Sequence, residues 1–174
     1  MKFLDQPITC KGFVLCLGHI TANDSFVITE EDTVKDGTFS QIGFCIDGGA
    51  TLYDSSNTIV GNYIADNLYD FKNYYGKAYT LSTTSEGGGT WFCINPLPAT
   101  KIYDMEMLSE NTTKTIVGDG IERTVICVYG TITVNGKVLT NKQYVRVLSG
   151  KTANVEVSPG SVAIYFNDSG KTQG

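Results

Sequence analysis

The pattern of apolar and polar residues in the second half of the chain predicts short β-strands. Residues 103–107 alternate apolar side chains with Asp104 and Glu106, as a strand with one buried face does. Asn135-Gly136 separates two further alternating runs and favours a tight hairpin, because a type I′ turn needs two positive φ angles. The remaining strands are predicted at 123–129, 144–148, 153–157 and 161–166. Many short strands with regular turns indicate a β-sandwich or barrel.

The first half of the chain is predicted to be β-structure with one interruption. Apolar runs predict strands at 8–20, 25–29, 38–46 and 50–53. From residue 62 the period changes, and the large apolar residues recur at helical spacing, at Ile64, Leu68, Phe71 and Tyr75. We therefore expect an all-β protein whose N-terminal half carries one short helix at about 62–75.

A glycine-rich stretch followed by two prolines divides the chain near its middle. Residues 85–90 contain three consecutive glycines and are predicted to be flexible, and Pro96 and Pro98 stiffen the chain after them. We therefore predict two regions, residues 1–95 and residues 96–174. The second is predicted to be a compact β-domain, and the first is expected to supply the contacts to a partner or to symmetry copies.

Composition and charge exclude several classes of protein. The chain of 174 residues has a formal net charge of −5, from 13 Lys and Arg against 18 Asp and Glu. The basic residues are scattered along the chain, so we expect no nucleic-acid partner, since such binding needs a basic surface. The apolar runs are too short to span a bilayer, and no signal peptide is recognisable. We therefore expect neither a membrane partner nor secretion by a signal peptide.

Histidine and cysteine limit the metal and redox chemistry. His19 is the single histidine, which excludes a site built from two or three imidazoles. We interpret it as a structural strand residue, with a catalytic base and a pH-sensitive contact as the alternatives. The cysteines show no C-x-x-C spacing, and most lie in apolar runs, which predicts reduced, buried thiols. They are Cys10, Cys16, Cys45, Cys93 and Cys127.

Residues 101–167 resemble the cupin family. In the first cupin motif a glutamate is followed by six residues and then a glycine, and Arg123 and Gly130 have that spacing here. The second motif contains Pro, Gly, His and Asn, and Pro159-Gly160 and Asn167 match it except at the histidine. The resemblance implies a jelly-roll, cupin-like β-sandwich in the C-terminal half.

The metal ligands of the cupin family are replaced in this chain. Arg123 stands at the glutamate position and Ala163 at the second-motif histidine. The paired histidine positions fall near Val117 and Asp119. We therefore predict no metal, no cofactor and no catalytic residue. Asp119, Glu122 and Arg123 remain as a candidate contact for a ligand or partner, in which Arg123 either pairs with one of the two carboxylates or binds an anionic group.

The sequence leaves two classes of function. The first is a non-enzymatic structural protein, because a small, His-poor, Gly- and Tyr-rich β-chain resembles accessory virion proteins of tailed bacteriophages, such as capsid decoration, head-fibre or tail-associated proteins. It implies a homo-oligomer that contacts other virion proteins or symmetry copies and is assembled in the host cytoplasm into the virion. The alternative is a metal-independent, cupin-like small-molecule or sugar-binding protein or isomerase. We favour the first class, because the sequence presents no catalytic constellation.

Overall fold

The computed structural model of the chain describes residues 2–3, 8–10, 12–29, 42–70, 77–83, 87–96 and 102–168. These residues form β-strands and contain no helix, so the predicted all-β class is confirmed for this part of the chain. In particular, it holds no helix long and apolar enough to cross a lipid bilayer. The chain divides into two compact units, Met1–Pro98 and Ala99–Gly174, here called the N-terminal and C-terminal units.

The strands of the N-terminal unit form one antiparallel sheet. They are β1 (Lys2–Phe3), β2 (Ile8–Cys10), β3 (Phe13–Ile20), β4 (Ser25–Ile28), β5 (Ile42–Asp54), β6 (Ile59–Ile64), β7 (Asn67–Asp70), β8 (Tyr79–Ser82) and β9 (Gly89–Pro96). The order along the main path is β1-β3-β9-β5-β8-β4, while β2 pairs with β3, and β6 and β7 pair with β5. The last strand of the unit therefore lies in the middle of the sheet, between β3 and β5.

Alternation along these strands produces one face that carries a hydrophobic core. Cys16 of β3 and Trp91 and Cys93 of β9 belong to that core. The register pairs Cys16 with Cys93, which places the two side chains on the same face. The other buried members are Ile20, Ile28, Cys45, Ala50, Leu52, Tyr63, Tyr79 and Leu81. We call this surface the inner face of the N-terminal unit.

The predicted helix at 62–75 is wrong over the residues that the structure describes. Residues 59–64 and 67–70 are β6 and β7, which pair with β5, and residues 71–75 lie outside the described part. Asp66, between the two strands, has a left-handed φ of 61°, which a helix interior does not tolerate. Ile64 is 62% exposed while Tyr63 is buried, so the helical spacing of apolar residues does not mark a buried face.

From Gly88 onward the glycine-rich stretch is closely packed against neighbouring strands. Strand β9 begins within it, at Gly89, which pairs with Gly48 of β5. A Cβ atom at Gly88 would lie 2.1 Å from the carbonyl oxygen of Ile20, and Gly88 has a φ of 74°. A side chain is excluded there, so glycine allows the start of β9 to approach its neighbours.

The C-terminal unit consists of two antiparallel sheets. Its strands are β10 (Ile102–Leu108), β11 (Thr113–Val117), β12 (Arg123–Tyr129), β13 (Thr131–Val134), β14 (Lys137–Thr140), β15 (Tyr144–Val147), β16 (Thr152–Val157) and β17 (Val162–Asp168). One sheet has the order β10-β17-β12-β15 and the other β11-β16-β13-β14. Buried aliphatic side chains from both sheets form one core, as in a β-sandwich. The β13–β14 hairpin turns at Asn135-Gly136, with φ angles of 49° and 77° as the type I′ prediction requires.

Candidate functional site

Polar side chains collect at one end of the inner face of the sheet β10-β17-β12-β15. Arg123, the first residue of β12, pairs in register with Asn167 of β17. Two residues further along these strands, Val125 pairs with Tyr165, and both pack in the core. Because side chains alternate along a strand, Arg123 and Asn167 lie on the same inward face. We call these two residues, together with Asp104 and Asp119, the polar end of the C-terminal unit.

Asn167 is held in place by a bulge in β10. The register of β10 against β17 shifts between Tyr103 and Glu106, and Asp104 in this bulge has a φ of 49°. Asn167 Nδ2 donates a hydrogen bond of 2.9 Å to Asp104 Oδ2. Asn167 is 4% exposed, and its Oδ1 has no hydrogen-bond partner among the residues that the structure describes. The amide therefore presents an unused, buried acceptor.

Arg123 is oriented by Asp119, four residues earlier in the chain. Its Nη2 donates to Asp119 Oδ1 at 3.1 Å, and the side chain of Arg123 is 21% exposed. The Nε of Arg123 is buried and has no partner within the described part of the chain. Of the alternatives that the sequence leaves open for Arg123, the ion pair with Asp119 is therefore present, and one N–H donor remains for a ligand.

The third predicted contact residue, Glu122, lies apart from this pair. Its carboxylate forms an ion pair with Arg146 of β15. Arg146 is opposite Thr124 in register, whereas its neighbour Val147 is opposite Arg123. Successive residues of a strand point to opposite faces, so Arg146 faces away from the polar end. The structure thus brings Arg123 and Asp119 together and separates Glu122 from them.

A second polar group lies beside Asn167 on β17. Tyr165 donates a hydrogen bond to the Glu106 carboxylate, and Lys114 Nζ donates to both Glu106 oxygens at 3.1 Å. The hydrogen bond from Tyr165, with a smaller effect of Lys114, lowers the pKa of Glu106 below its ordinary value. Partial burial, with the bond to Glu106, raises the pKa of Tyr165. At neutral pH Glu106 is therefore charged and already holds its partners.

The residues of the C-terminal unit do not fit the metal site that the resemblance to cupins implies. Arg123 pairs with Asn167, but Ala163 pairs with Cys127, four residues further along the strands. At about 3.3 Å per residue, the two motif positions are roughly 13 Å apart and do not converge on one point. Among the described residues no group of three His, Cys, Asp or Glu side chains is placed to hold a metal ion. The polar end offers hydrogen bonds instead.

His19 occupies a position that joins two neighbouring strands. It lies opposite Thr90 in the β3–β9 register. Its Nδ1 is 3.0 Å from Thr90 Oγ1, within hydrogen-bond distance. This cross-strand contact agrees with the interpretation of His19 as a structural residue.

The sequence indicates Arg123 and Asp119 but not the residues that complete their surroundings. Asp104 and Glu106 stand out only as the polar half of an alternating strand, and Tyr165 does not stand out at all. One feature of the sequence does point to Asn167. It is a polar residue at the end of a mostly apolar strand, and it lies on the same face of that strand as Ala163 and Tyr165. A polar residue at an inward position of a strand needs a partner, and is therefore a candidate for a site.

Solved structures of cupin-like, jelly-roll barrel proteins are similar in fold to this chain. HutD from Pseudomonas fluorescens SBW25 is similar with a TM-score of 0.59 and 13% identity, over 90% of this chain and 78% of that one. The Cupin 2 conserved barrel domain protein from Leptotrichia buccalis has a TM-score of 0.54 and 8% identity, over 95% and 88% of the two chains. The bacterial pirin YhhW from Escherichia coli, in complex with nickel(II), has a TM-score of 0.58 and 10% identity, over 89% and 80%. At these identities the likeness shows the fold alone.

No family model and no curated protein matches the sequence. The structural neighbours nevertheless overturn the prediction of a bacteriophage virion protein, because they are cupin-like and pirin proteins and not virion components. That prediction rested on composition, which does not separate one β-rich protein from another. The cupin-like fold is confirmed, and the likeness covers far more of the chain than residues 101–167. The homo-oligomer and the place of assembly stay predictions.

Proposed function

We propose that the chain is a cupin-like protein that binds a small polar molecule at the polar end of its C-terminal unit. The observation that carries the proposal is the pair of unused hydrogen-bonding atoms, Arg123 Nε and Asn167 Oδ1, on residues that face each other across β12 and β17. A buried polar atom without a partner costs about 1–3 kcal/mol. A ligand that supplies both hydrogen bonds recovers this cost, and the cupin-like neighbours support a small-molecule-binding class.

The chemistry of the polar end favours a neutral ligand with several hydroxyl groups. Arg123 Nε offers a donor and Asn167 Oδ1 offers an acceptor, so the ligand has to accept one hydrogen bond and donate another. Neighbouring hydroxyl groups of a sugar or polyol do both. A carboxylate cannot donate to Asn167, and it would also meet the charges of Asp104 and Asp119, which outnumber that of Arg123. The sugar-binding form of the alternative function is therefore the one we propose.

We propose that the polar end binds its ligand without catalysing a reaction. Asp104 accepts from Asn167, and Asp119 accepts from Arg123. Glu106 is held by Tyr165 and Lys114, and its lowered pKa makes it a weak general base. The three carboxylates near the polar end thus have structural partners, which supports a role in shaping the site.

Isothermal titration calorimetry tests the proposal. The ligands are neutral monosaccharides and acyclic polyols, with the matching sugar acids measured in parallel. We expect at least one neutral compound to bind, and its sugar acid to bind more weakly. At a free ligand concentration of about 100 times Kd, the protein should gain roughly 2.7 kcal/mol of stability in a thermal scan.

Two arginine-to-lysine variants provide a matched pair for this titration. Arg123→Lys keeps the positive charge beside Asp119 but removes the Nε donor, and should weaken binding about tenfold, the effect of roughly one lost hydrogen bond. Arg146→Lys, on the opposite face of the sheet, should leave the affinity unchanged. Absence of binding by the whole panel, or equal losses in the two variants, would show that the polar end is not the site.

A further inference from the structure

Two cysteines face each other on the inner face of the N-terminal unit. Cys16 of β3 and Cys93 of β9 are directly opposed in the antiparallel register. They are 2% and 4% exposed, and both belong to the core of that face. None of the five cysteines is part of a disulfide in this structure. The pair is therefore a buried dithiol in the middle of the sheet.

The position of the two cysteines matches the geometry of a disulfide. Directly opposed residues of antiparallel strands have Cα atoms about 4.5–5.5 Å apart, and a disulfide joins residues whose Cα atoms are about 4.4–6.8 Å apart. The separation of the two strands at this pair therefore lies within the range that a disulfide spans. Other cysteines have different cross-strand partners: Cys45 faces Trp91, and Cys127 faces Ala163.

The surroundings of Cys16 favour its thiolate. Asn95 Nδ2 donates to Cys16 Sγ at 3.6 Å. The influence of Cys93, which is the larger, and that of Asn95 together lower the pKa of Cys16 despite its burial. Burial instead raises the pKa of Cys45 to about 12 and that of Cys127 to about 11. Cys16 therefore differs from other buried thiols of the same chain.

Asn95 also supplies an unused acceptor beside this sulfur. Asn95 is 4% exposed, and its Oδ1 has no hydrogen-bond partner among the described residues. Its amide nitrogen touches Cys16, so the oxygen of the same amide lies next to the dithiol. For a small molecule that reaches Cys16, this oxygen is an acceptor for an O–H group.

We propose that Cys16 and Cys93 form an oxidation site for small hydroperoxides, at which the two thiols become one disulfide. The Cys16 thiolate attacks one oxygen of the peroxide, the O–O bond breaks, and the leaving oxygen takes up the proton released by Cys16. With hydrogen peroxide this forms a sulfenic acid and one water. Cys93 sulfur then attacks Cys16 sulfur, the S–O bond breaks, and the hydroxide leaves with the Cys93 proton as a second water. The two thiols are oxidised by two electrons, and one peroxide is reduced.

The first test uses the unaltered full-length protein, reduced and then treated with hydrogen peroxide under native conditions. We expect the free thiol content to fall by two per chain, with a mass loss equal to two hydrogen atoms. Peptide mapping without reduction should find Cys16 joined to Cys93. Unchanged thiol content, a different cysteine pair, or sulfinic acid at Cys16 without a cross-link would overturn the proposal.

Single variants separate the role of this pair from that of a buried thiol in general. Cys16→Ser and Cys93→Ser should each abolish the disulfide, whereas Cys45→Ser, a buried cysteine of the same face, should still form it. Asn95→Ala should slow the loss of thiols at least severalfold without changing which residues are joined. Equal rates in the Asn95→Ala variant and the unaltered protein would remove Asn95 from the proposal. The site lies in the N-terminal unit, so its test is independent of sugar binding at the polar end.

Discussion

The inner faces of the two units carry different side chains, although both are antiparallel β-structures. The N-terminal face combines a cluster of three aromatic rings with thiols and the amide of Asn95. The rings of Tyr63 and Tyr69 lie 4.7 Å apart, and that of Trp91 lies 5.7 Å from the first and 5.9 Å from the second. The C-terminal core is almost entirely aliphatic, with Val, Ile, Leu and Ala from both sheets.

This difference determines where each unit can carry chemistry. In the N-terminal unit, sulfur and amide groups lie within the core itself, beside Trp91 on β9. In the C-terminal unit the core is mostly aliphatic, and the unpartnered atoms Arg123 Nε and Asn167 Oδ1 lie at the end of one sheet. The N-terminal unit thus holds a pair of opposed thiols inside its sheet, whereas the C-terminal unit holds unpartnered hydrogen-bonding atoms at the end of one of its sheets.

Loss of Trp91 should have the largest effect on stability. The side chain is 2% exposed, and its ring contacts both tyrosines. Trp91→Ala removes this volume from the aromatic cluster, and should lower the free energy of unfolding by about 4 kcal/mol. Urea unfolding followed by circular dichroism measures the change, since the variant has no tryptophan fluorescence. A loss below about 1 kcal/mol would show that the aromatic cluster is not the core of this unit.

Close backbone contact between β5 and β9 should produce the next largest effect. A Cβ at Gly48 would lie 1.9 Å from the carbonyl oxygen of Gly88, and Gly48 has a φ of 66°. Gly48→Ala should therefore destabilise the protein by about 2 kcal/mol. Gly87→Ala is the control, because a Cβ there has no atom within 4 Å, and its effect should stay within about 0.5 kcal/mol. Equal stabilities of the two variants in thermal unfolding would contradict the close approach.

A small cavity in the aliphatic core should have a more modest effect. Ile132 of β13 is fully buried among side chains of both sheets of the C-terminal unit. Ile132→Val removes one methylene group and should cost about 1 kcal/mol in chemical unfolding. This loss of stability should be clearly smaller than that caused by Trp91→Ala. A larger loss in Ile132→Val would contradict the predicted order of the two effects.

The smallest effect is expected at Glu106, where it should depend on pH. The pKa of Glu106 is lowered in the folded protein, so its contribution is present above the ordinary carboxyl pKa and is lost as the pH falls through the folded value. Glu106→Gln should therefore reduce the melting temperature slightly at neutral pH, and the difference from the unaltered protein should shrink in acid. A difference that grows in acid would contradict the assigned contacts with Tyr165 and Lys114.

Local patterns in the sequence were sufficient for much of the C-terminal unit. The turn at Asn135-Gly136 depends only on the φ preferences of its two residues, and it occurs as predicted. The helix predicted at 62–75 is wrong over its described residues for the opposite reason. The spacing of its apolar residues is that of a helix, but pairing with β5 makes its described residues strands. The part of β5 that pairs with β7 lies more than 20 residues earlier in the chain. Tertiary contacts of this kind are not encoded in a local period.

The candidate sites depended still more on contacts that the sequence does not reveal. Asp119 and Arg123 are four residues apart, and their ion pair could be anticipated from that spacing. The opposition of Cys16 to Cys93, and of Arg123 to Asn167, requires the register of strands far apart in the chain. A shift of one residue would turn each side chain to the other face, so composition and motif spacing alone could not specify either pair.

The central position of β9 has a consequence for synthesis of the chain on the ribosome. Strands β3 and β5 are made first, yet each gains its partner on the edge that faces the other only when β9 emerges and inserts between them, with Ile20 opposite Gly89 and Ile42 opposite Ile94. Such long-range pairing is slow compared with hairpin formation. Until residue 96 leaves the exit tunnel, the nascent chain exposes two unpaired strand edges, the kind of surface that chaperones shield from aggregation.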